Sequence, residues 1–212
     1  MLDDILKRQL FDEITEHLLT DIKPSEYLNV LSDKEVFKQY PLGMLNQLKS
    51  TEQSKKYHPE GNVWNHTMLV LDEAAKVRGE CSDAKAFMWA ALLHDIGKPD
   101  TTRMKNERIT SYDHDIAGEK LCIKFLRAFM KEDEAFIQKV SSLVRYHMHI
   151  LYLLKNLPYK DMAGLLKRVN IGEIALLCRC DRRGRTGVDL QTEDTEYREF
   201  LSRLKQMVVE KS

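Results

Sequence analysis

The chain has 212 residues, of which 33 are Lys or Arg and 33 are Asp or Glu, so it is long enough for one domain with a substantial core and carries no net charge. A neutral chain has no overall field that attracts nucleic acid or an anionic membrane, so we expect no DNA partner and no membrane partner. The first residues mix acids and bases, unlike a secretory signal, and no apolar run approaches the roughly 20 residues that cross a bilayer, so the sequence predicts a cytoplasmic protein.

Two amphipathic helices are predicted near the N-terminus. Apolar residues that recur at steps of three and four define one stripe: Leu2, Ile5, Leu6, Leu10, Ile14, Leu18 and Ile22. Pro24 is expected to end this helix, and Ser25 is a suitable cap for the next one. In that second helix, Leu28 and Leu31 should face inward.

In the middle of the chain, a polar loop precedes two further helices. The stretch 49–62 is interpreted as a loop, and Asn62 is a suitable cap for the helix that follows. Another helix is predicted over 83–96, where the residues from Ala86 to Leu93 are almost entirely apolar. Such a stretch has too few polar positions for a surface helix, so its end should lie in the core.

The second half of the chain completes a helical pattern. A loop or short ribbon is expected over 99–113. Further helices are predicted near 114–130, 133–148, 159–169, 171–183 and 193–210. Alternating strand patterns are scarce, so the predicted fold class is all-α, with an N-terminal helical extension (1–48) packed on the core of a helical bundle (49–212).

His94 and Asp95, at the end of the apolar helix, are the most informative pair in the sequence. A buried charge is costly unless it is paired, and a metal ion is a common partner for an imidazole beside a carboxylate. Adjacent helical side chains point about 100° apart, so an ion held by both needs ligands from other segments. The candidates are His66, His114, His147 and Asp181. By itself, however, a His-Asp dipeptide is more often a helix cap beside a core histidine.

Five ordered segments give this pair its context. They are Tyr57-His58-Pro59-Glu60-Gly61 leading to His66 and Glu73, His94-Asp95-Ile96-Gly97-Lys98, Ser111 to Gly118, Arg145-Tyr146-His147, and Cys180 to Arg185. In this order they resemble the HD-domain phosphohydrolase superfamily, most closely the HD domain of bacterial CCA-adding tRNA nucleotidyltransferases. Asp113 stands where that family has glycine. Residues 1–48 show no match to the nucleotidyltransferase head of those enzymes, so the expectation is an HD module that stands alone and does not add CCA.

The resemblance implies a set of metal ligands. One divalent ion would be held by His66, His94, Asp95 and Asp181. Imidazole and carboxylate ligands suit Mn, Fe, Co, Ni, Zn or Mg, and two imidazoles favour a transition metal because Mg prefers oxygen. In HD proteins with two metals, histidines at positions like His114 and His147 hold the second ion. In those with one metal they lie near the phosphate and can donate a proton, and both roles remain open here.

Cations beside these ligands suggest a phosphate site. Lys98 matches a lysine of the family segment, although a cation at a helix C-terminus is also stabilised by the helix dipole. Guanidinium groups bind phosphate in a bidentate way, which makes Arg145, Arg182 and Arg185 candidates as well. For each of these three arginines, a solvated helix end is an equal alternative.

By resemblance, the predicted function is hydrolysis of a nucleotide or RNA-end phosphoester, of the 2′,3′-cyclic phosphodiesterase, 2′-nucleotidase or phosphatase type. Metal-bound hydroxide would attack phosphorus. The implied catalytic set is Asp95, Lys98, His114 and His147. One alternative is a 5′-nucleotidase or nucleoside triphosphate hydrolase of another HD branch. Another is a non-catalytic nucleotide-sensing or RNA-binding module, and the sequence fixes neither the natural substrate nor the oligomeric state.

Overall fold

The computed structural model describes residues 2–129 and 133–210, and the predicted all-α fold is confirmed. Its helices are α1 (Asp4–Thr20), α2 (Pro24–Ser32), α3 (Gly43–Asn46), α4 (Val63–Val77), α5 (Ala84–Leu93), α6 (Lys98–Thr101), α7 (His114–Phe129), α8 (Glu134–Tyr146), α9 (His149–Leu154), α10 (Met162–Arg168), α11 (Ile171–Arg183) and α12 (Leu190–Val209). Single turns of 3-10 helix lie at Glu35–Lys38, Gln47–Ser50 and Arg78–Glu80. Among these described helices, none combines the length and apolar character that spanning a membrane requires.

A short hairpin interrupts the helices between α6 and α7. Strand β1 (Arg103–Lys105) pairs antiparallel with β2 (Arg108–Thr110), with Met104 opposite Ile109. Asn106 and Glu107 form the turn and both have positive φ, as a tight two-residue hairpin turn requires. This is the ribbon that the sequence predicts over 99–113.

Helix α5 lies at the centre of the fold. It packs against α4 and α8 and also contacts α1 and α11. All residues from Ala86 to Leu93 are buried, which explains why the helix needs no polar face. Asp83 caps its N-terminus by accepting a hydrogen bond from the Ala86 nitrogen at 3.0 Å. Its C-terminal end therefore places His94 and Asp95 in the interior.

The N-terminal helices share this core. Helix α1 packs on α5 and α7, and α2 packs on α4. Phe11 stacks on Trp89 of α5 with ring centroids 4.7 Å apart, and the Trp89 indole donates to Thr15 Oγ1 at 3.0 Å. Residues 2–48 thus support the helix that carries the His-Asp pair.

The predicted stripe of α1 is wrong at three positions. Ile5 and Ile22 are largely exposed and Leu6 is partly so. The buried face of the helix consists of Leu10, Phe11, Ile14 and Leu18. Phe11, which the stripe omits, supplies the aromatic contact with α5, and Ile22 lies beyond the end of the helix at Thr20.

The predicted boundaries around Pro24 are also wrong. Pro24 begins α2 instead of ending α1, because proline suits the first helical turn, where no partner for its nitrogen is needed. Ser25 lies inside the helix, and its hydroxyl donates to Asp72 Oδ2 at 2.7 Å. Leu28 and Leu31 are buried, as predicted.

Two other boundaries differ from the sequence pattern. Helix α5 ends at Leu93, so His94 is its cap residue and Asp95 lies in the turn before α6. A separate helix, α9, follows α8 after a bend at residues 147–148, where no glycine or proline signals a break. Asn62 caps α4 as predicted, accepting from the Asn65 nitrogen at 2.9 Å.

Candidate metal centre

Six buried side chains converge where α4, α5, α7, α8 and α11 meet. They are His66, His94, Asp95, His114, His147 and Asp181. His66 belongs to α4, His94 and Asp95 to the α5–α6 turn, His114 to the start of α7, His147 to the end of α8 and Asp181 to α11. These are the six candidate ligands of the sequence, and the fold brings all of them together.

The first group lies between α4, α5 and α11. His66 Nε2 is 2.9 Å from Asp181 Oδ1 and 3.9 Å from Asp95 Oδ2. His94 Nε2 is 3.2 Å from the same Asp95 oxygen. His66, His94 and Asp181 each offer one potential ligand atom, and these three atoms all lie within 4.8 Å of one another.

The second group shares Asp95 with the first. Asp95 Oδ1 is 3.4 Å from His114 Nε2 and 3.8 Å from His147 Nε2. The two Nε2 atoms of His114 and His147 are 3.1 Å apart. Because its two carboxylate oxygens face different groups, Asp95 lies between two potential metal positions.

Backbone carbonyls fix the orientation of three of these imidazoles. In each case the carbonyl belongs to the residue three positions earlier: Nδ1 of His94 lies 2.9 Å from Ala91 O, Nδ1 of His114 lies 2.7 Å from Ser111 O, and Nδ1 of His147 lies 2.7 Å from Val144 O. A carbonyl only accepts, so each Nδ1 must donate. Each neutral ring therefore presents the lone pair of Nε2 to the centre, which is the tautomer that binds a metal.

Unsatisfied polar atoms indicate that the donor set fits a divalent ion. His94 Nε2 and Asp95 Oδ2 are buried and have no hydrogen-bond partner among the described residues. Lys98 Nζ approaches Asp95 Oδ2 to 2.7 Å as an ion pair, without hydrogen-bonding geometry. A buried polar atom without a partner costs about 1–3 kcal/mol, which a cation held between these groups would remove. Two imidazoles and two carboxylates form a ligand set suited to transition metals.

The carboxylates are held ionised by their surroundings. Burial alone would raise the pKa of Asp95, but His94 and Lys98 outweigh it and hold that pKa well below its usual range. For Asp181, Arg185 and His66 outweigh burial in the same direction and lower the pKa. Both carboxylates are therefore anionic near neutral pH, as candidate metal ligands should be.

The histidines respond differently to burial. Burial lowers the pKa of His114 to about 3, and burial together with His94 lowers the pKa of His147. Burial also acts to lower the pKa of His94, but the adjacent Asp95 carboxylate outweighs it and leaves that pKa raised. His114 and His147 are thus uncharged, as metal ligands must be.

A cavity of about 470 Å³ opens beside the centre, and Asp95, Asp181, His114 and His147 form part of its wall. Two cations also line it. Lys98 is nearly buried, donates to Gln53 Oε1 at 2.6 Å and pairs with Asp95. Arg185 approaches Asp181 Oδ1 to 3.7 Å. The cavity therefore combines the candidate ligands with two positive side chains that can bind an anion.

Comparison with known proteins agrees with this geometry. The family model described as HD domain matches residues 63–183, more than half of the chain, and this range contains all six convergent side chains. The chain belongs to the HD domain family. HD domains form a superfamily of metal-dependent phosphohydrolases and bind divalent metals, which is the chemistry that this ligand set suits.

Curated relatives of this HD domain are multifunctional CCA proteins, which confirms the resemblance. The one from Pasteurella multocida (strain Pm70) is 30% identical over 208 residues, which cover 92% of this chain and 47% of the relative. The one from Stenotrophomonas maltophilia (strain K279a) is 30% identical over 213 residues, covering 97% and 50%. The one from Alkalilimnicola ehrlichii is 28% identical over 197 residues, covering 89% and 45%. The chain spans about half the length of the curated relatives it matches.

Two of the predicted phosphate-binding arginines lie away from the cavity of the HD domain. Arg145 pairs with Asp115 Oδ2 at 2.5 Å. Arg182 is held by Glu193 and Glu196 of α12. Neither lines the cavity, so the geometry supports Lys98 and Arg185 as anion-binding residues and gives Arg145 and Arg182 structural ion pairs instead.

Two residues of the site are missed by the sequence reasoning. His58, which is not among the candidate site residues of the sequence, lines the cavity with its side chain only 15% exposed. Burial, together with Lys98, lowers its pKa to about 4. The side chain of Glu60 is 3% exposed and accepts hydrogen bonds from His58 and His66, and these bonds outweigh burial and lower its pKa to about 2. Both residues belong to the first segment of the family resemblance, which is the signal that could have identified them.

A close backbone approach positions the His-Asp turn against α7. A Cβ atom on Gly97 would collide with the His114 carbonyl oxygen and would lie 2.6 Å from the Gly118 nitrogen. Only glycine allows this approach at position 97. Asp113, immediately before His114, has φ of 59°, a left-handed conformation that explains the glycine found there in the resembling family.

Proposed function

We propose that this HD domain hydrolyses a phosphoester of a nucleotide or of an RNA end, of the 2′,3′-cyclic phosphodiesterase, 2′-nucleotidase or phosphatase type. The observation that carries the proposal is the set of inward-facing Nε2 lone pairs and ionised carboxylates beside a cavity lined by Lys98 and Arg185. The substrate type is taken from the resemblance to the HD domain of CCA-adding enzymes, and the relatives named above are CCA proteins.

Each group of residues has a distinct role in the proposal. The metal ligands are His66, His94, Asp95 and Asp181. These residues would hold a divalent ion, which would supply activation of a water molecule and withdrawal of charge from a phosphoryl oxygen. Lys98 and Arg185 bind the phosphate, because both are cations in the cavity wall and Lys98 is held rigid by Gln53. Charge-assisted contacts of this kind orient the phosphorus toward the ligand cluster.

A second ion is part of the proposal. Nδ1 of His114 and of His147 each donate to a carbonyl, so their Nε2 atoms are both acceptors, yet they lie only 3.1 Å apart. Two facing lone pairs repel unless a proton or a cation lies between them. The negatively charged Asp95 Oδ1 lies 3.4 Å from His114 Nε2 and 3.8 Å from His147 Nε2. This arrangement favours the two histidines as ligands of a second metal ion over a role as proton donors.

Hydrolysis assays with the metal-stripped full chain test the function. Turnover of 2′,3′-cyclic AMP, 2′-AMP, 5′-AMP and dATP would be measured with Mn, Co, Ni or Mg. We expect turnover of the cyclic and 2′ substrates, and we expect it to disappear in Asp95→Asn. Asp100→Asn, which changes an exposed carboxylate in the next helix, is the matched control and should remain active.

The other outcomes would identify the alternatives. Turnover of 5′-AMP or dATP alone would assign the protein to a nucleotidase or triphosphate hydrolase branch. Metal binding without turnover of any of the four substrates would contradict the proposal and favour a nucleotide-sensing module.

A further inference from the structure

One buried carboxylate links the metal cluster to the substrate cavity. Glu60 lies in the loop before α4, and its side chain is 3% exposed. Its Oε1 accepts from Nδ1 of His66 at 3.0 Å and from Nδ1 of His58 at 2.9 Å. Its Oε2 accepts from the Thr186 nitrogen at 3.2 Å, next to Arg185 of the cavity wall. A single side chain thus fixes a candidate metal ligand, a second imidazole and the segment that carries a cation.

The second imidazole lines the cavity and has an acceptor without a partner among the described residues. The His58 ring packs edge-on against His66, with centroids 4.7 Å apart, and lines the same cavity as Lys98 and Arg185. Because Nδ1 donates to Glu60, the lone pair of the neutral ring is on Nε2. Among the described residues, no protein donor makes a hydrogen bond to that nitrogen.

An acceptor at this position has a restricted choice of partner. The oxygens of a phosphate dianion are themselves acceptors and are matched by Lys98 and Arg185, not by a neutral imidazole nitrogen. A hydroxyl group is a donor, and in a nucleotide the donor nearest to a ribose phosphate is the neighbouring ribose hydroxyl. The cavity, at about 470 Å³, is of a size for one nucleotide.

We propose that His58 Nε2 accepts a hydrogen bond from the ribose hydroxyl next to the phosphate, and that Glu60 is the positioning residue for both His58 and His66. Among phosphate monoesters, the preferred substrate is then a ribonucleotide or RNA end with a free hydroxyl next to the phosphate, over its deoxy analogue. A 2′,3′-cyclic phosphate has no such hydroxyl and would bind without this contact. This inference rests on the proposed function, because it places the phosphate at the metal cluster. A site built to bind a hydroxyl discriminates strongly against a ligand that lacks it, since the buried acceptor is left unpaired.

Selectivity between two matched ligands tests the role of His58. Adenosine 2′-monophosphate and its 3′-deoxy analogue differ only in the proposed donor. With Mn-loaded full chain, we expect the dissociation constant and the KM of the deoxy analogue to be higher by about tenfold or more. In His58→Phe this ratio should fall to about one, through weaker binding of the hydroxyl-bearing ligand. His58→Gln retains an acceptor near the position of Nε2 and should restore part of the ratio.

Control measurements separate this inference from the proposed function. If wild type binds both adenosine ligands but hydrolyses neither, the proposed function is wrong. The ratio of the two dissociation constants still tests the role of His58. An equal loss of affinity for both ligands in His58→Phe, an unchanged ratio, or a wild-type ratio near one would overturn the inference. If His58→Phe does not fold, His58→Asn replaces it, because its short amide can reach Glu60 but places no acceptor at the Nε2 position.

Metal affinity tests the role of Glu60 separately. Loss of a carboxylate that orients a ligating imidazole typically weakens metal binding 10–100-fold, so we expect a rise of about that size in the Mn dissociation constant of Glu60→Ala. Glu60→Gln keeps one oxygen acceptor and should fall between wild type and Glu60→Ala. Glu60→Ala should also lower the ratio between the two adenosine ligands. Unchanged Mn affinity together with an unchanged ratio would contradict the positioning role.

Discussion

His66 Nε2 and Asp181 Oδ1 lie 2.9 Å apart, although the two residues are separated by 115 positions in the chain. The contact depends on close packing of the end of α11 on α4. A Cβ atom on Gly184 would lie 2.7 Å from the Val70 nitrogen, so glycine permits this approach. The distance between the two ligands is thus set by helix packing and not by local sequence.

Replacing Asp181 should weaken metal binding. In Asp181→Asn, an anionic ligand beside His66 becomes neutral while its shape is kept. We expect the Mn dissociation constant, measured by calorimetry on the metal-stripped chain, to rise by about 100-fold or more, beyond the effect of losing an outer partner. Asp100→Asn should leave it unchanged. Equal affinities in the two variants would remove Asp181 from the ligand set.

The number of metal ions bound per chain should show whether the second metal position is occupied. We expect wild type to bind two Mn ions at saturation, one with each group. His147→Gln removes an imidazole from the group of Asp95 and His114 and should reduce the stoichiometry to one. The position at His66 and His94 should persist, because those residues are untouched. A single Mn in wild type would instead assign His114 and His147 to the phosphate.

Arg182 and Arg185, which both belong to the last family segment, should behave differently. Arg185 lines the cavity, so Arg185→Gln should raise KM for the nucleotide about tenfold or more, since a hydrogen bond to a charged group contributes about 1.5–3 kcal/mol. Arg182 pairs with Glu193 and Glu196 outside the cavity. Arg182→Gln should therefore leave KM within about twofold and lower the free energy of unfolding in urea. The opposite pattern would exchange their roles.

A methyl group at position 97 should disrupt the His-Asp turn. In Gly97→Ala the added Cβ meets the backbone of α7, which cannot move aside as a flexible side chain would. We expect a loss of about 1–3 kcal/mol or more in the free energy of unfolding, together with weaker Mn binding, because His94 and Asp95 shift relative to His114. Gly79→Ala is the matched control, since its Cβ would meet nothing within 4 Å. Equal stability of the two variants would contradict the close approach.

Stability should fall in mild acid through His149. Burial lowers the pKa of His149 to about 4, and its Nε2 accepts from the Asp161 nitrogen at 3.1 Å, a bond that protonation destroys. Between about pH 6.5 and pH 4 the unfolded chain binds a proton that the folded chain does not. The free energy of unfolding therefore decreases as the pH falls, with about 2 kcal/mol attributable to this residue at pH 5.

Comparison with His149→Gln isolates this contribution, because the amide oxygen keeps the acceptor and does not titrate. The wild-type and variant unfolding free energies, measured by urea denaturation from pH 7.5 to pH 4.5, should diverge below about pH 6.5, with wild type falling faster. Parallel curves would show that His149 does not titrate in this range.

The sequence was sufficient for the helical class and for the convergence of the six candidate ligands, because ordered segments carry that information. It was insufficient to predict which acidic residues pair with Arg145 and Arg182. Nothing local shows that Asp115 meets Arg145 from 30 residues away, or that Glu193 meets Arg182 from the next helix. These pairings are products of tertiary packing.

Burial in irregular segments was also difficult to predict. The stretch 49–62 is polar, and polarity normally indicates a solvated loop. Yet the residue Gln53 and the side chain of Glu60 are almost fully buried because they bond to Lys98 and His66. Periodicity analysis has no means of detecting such residues. The exposed Ile5 and Ile22 are the converse case, since a regular apolar pattern does not show where a neighbouring helix ends.

The carbonyl contacts of His94, His114 and His147 have a consequence for variation in this family. Every amino acid has a backbone carbonyl, so substitutions at positions 91, 111 and 144 that preserve the helices leave these three rings oriented as before. The rings become ordered when the chain folds, so little of their freedom remains to be lost when an ion arrives. Only His66 depends on a replaceable side chain, Glu60, for its orientation. Among the residues that orient these imidazoles, substitutions at residue 60 would therefore change the metal affinity of the site most.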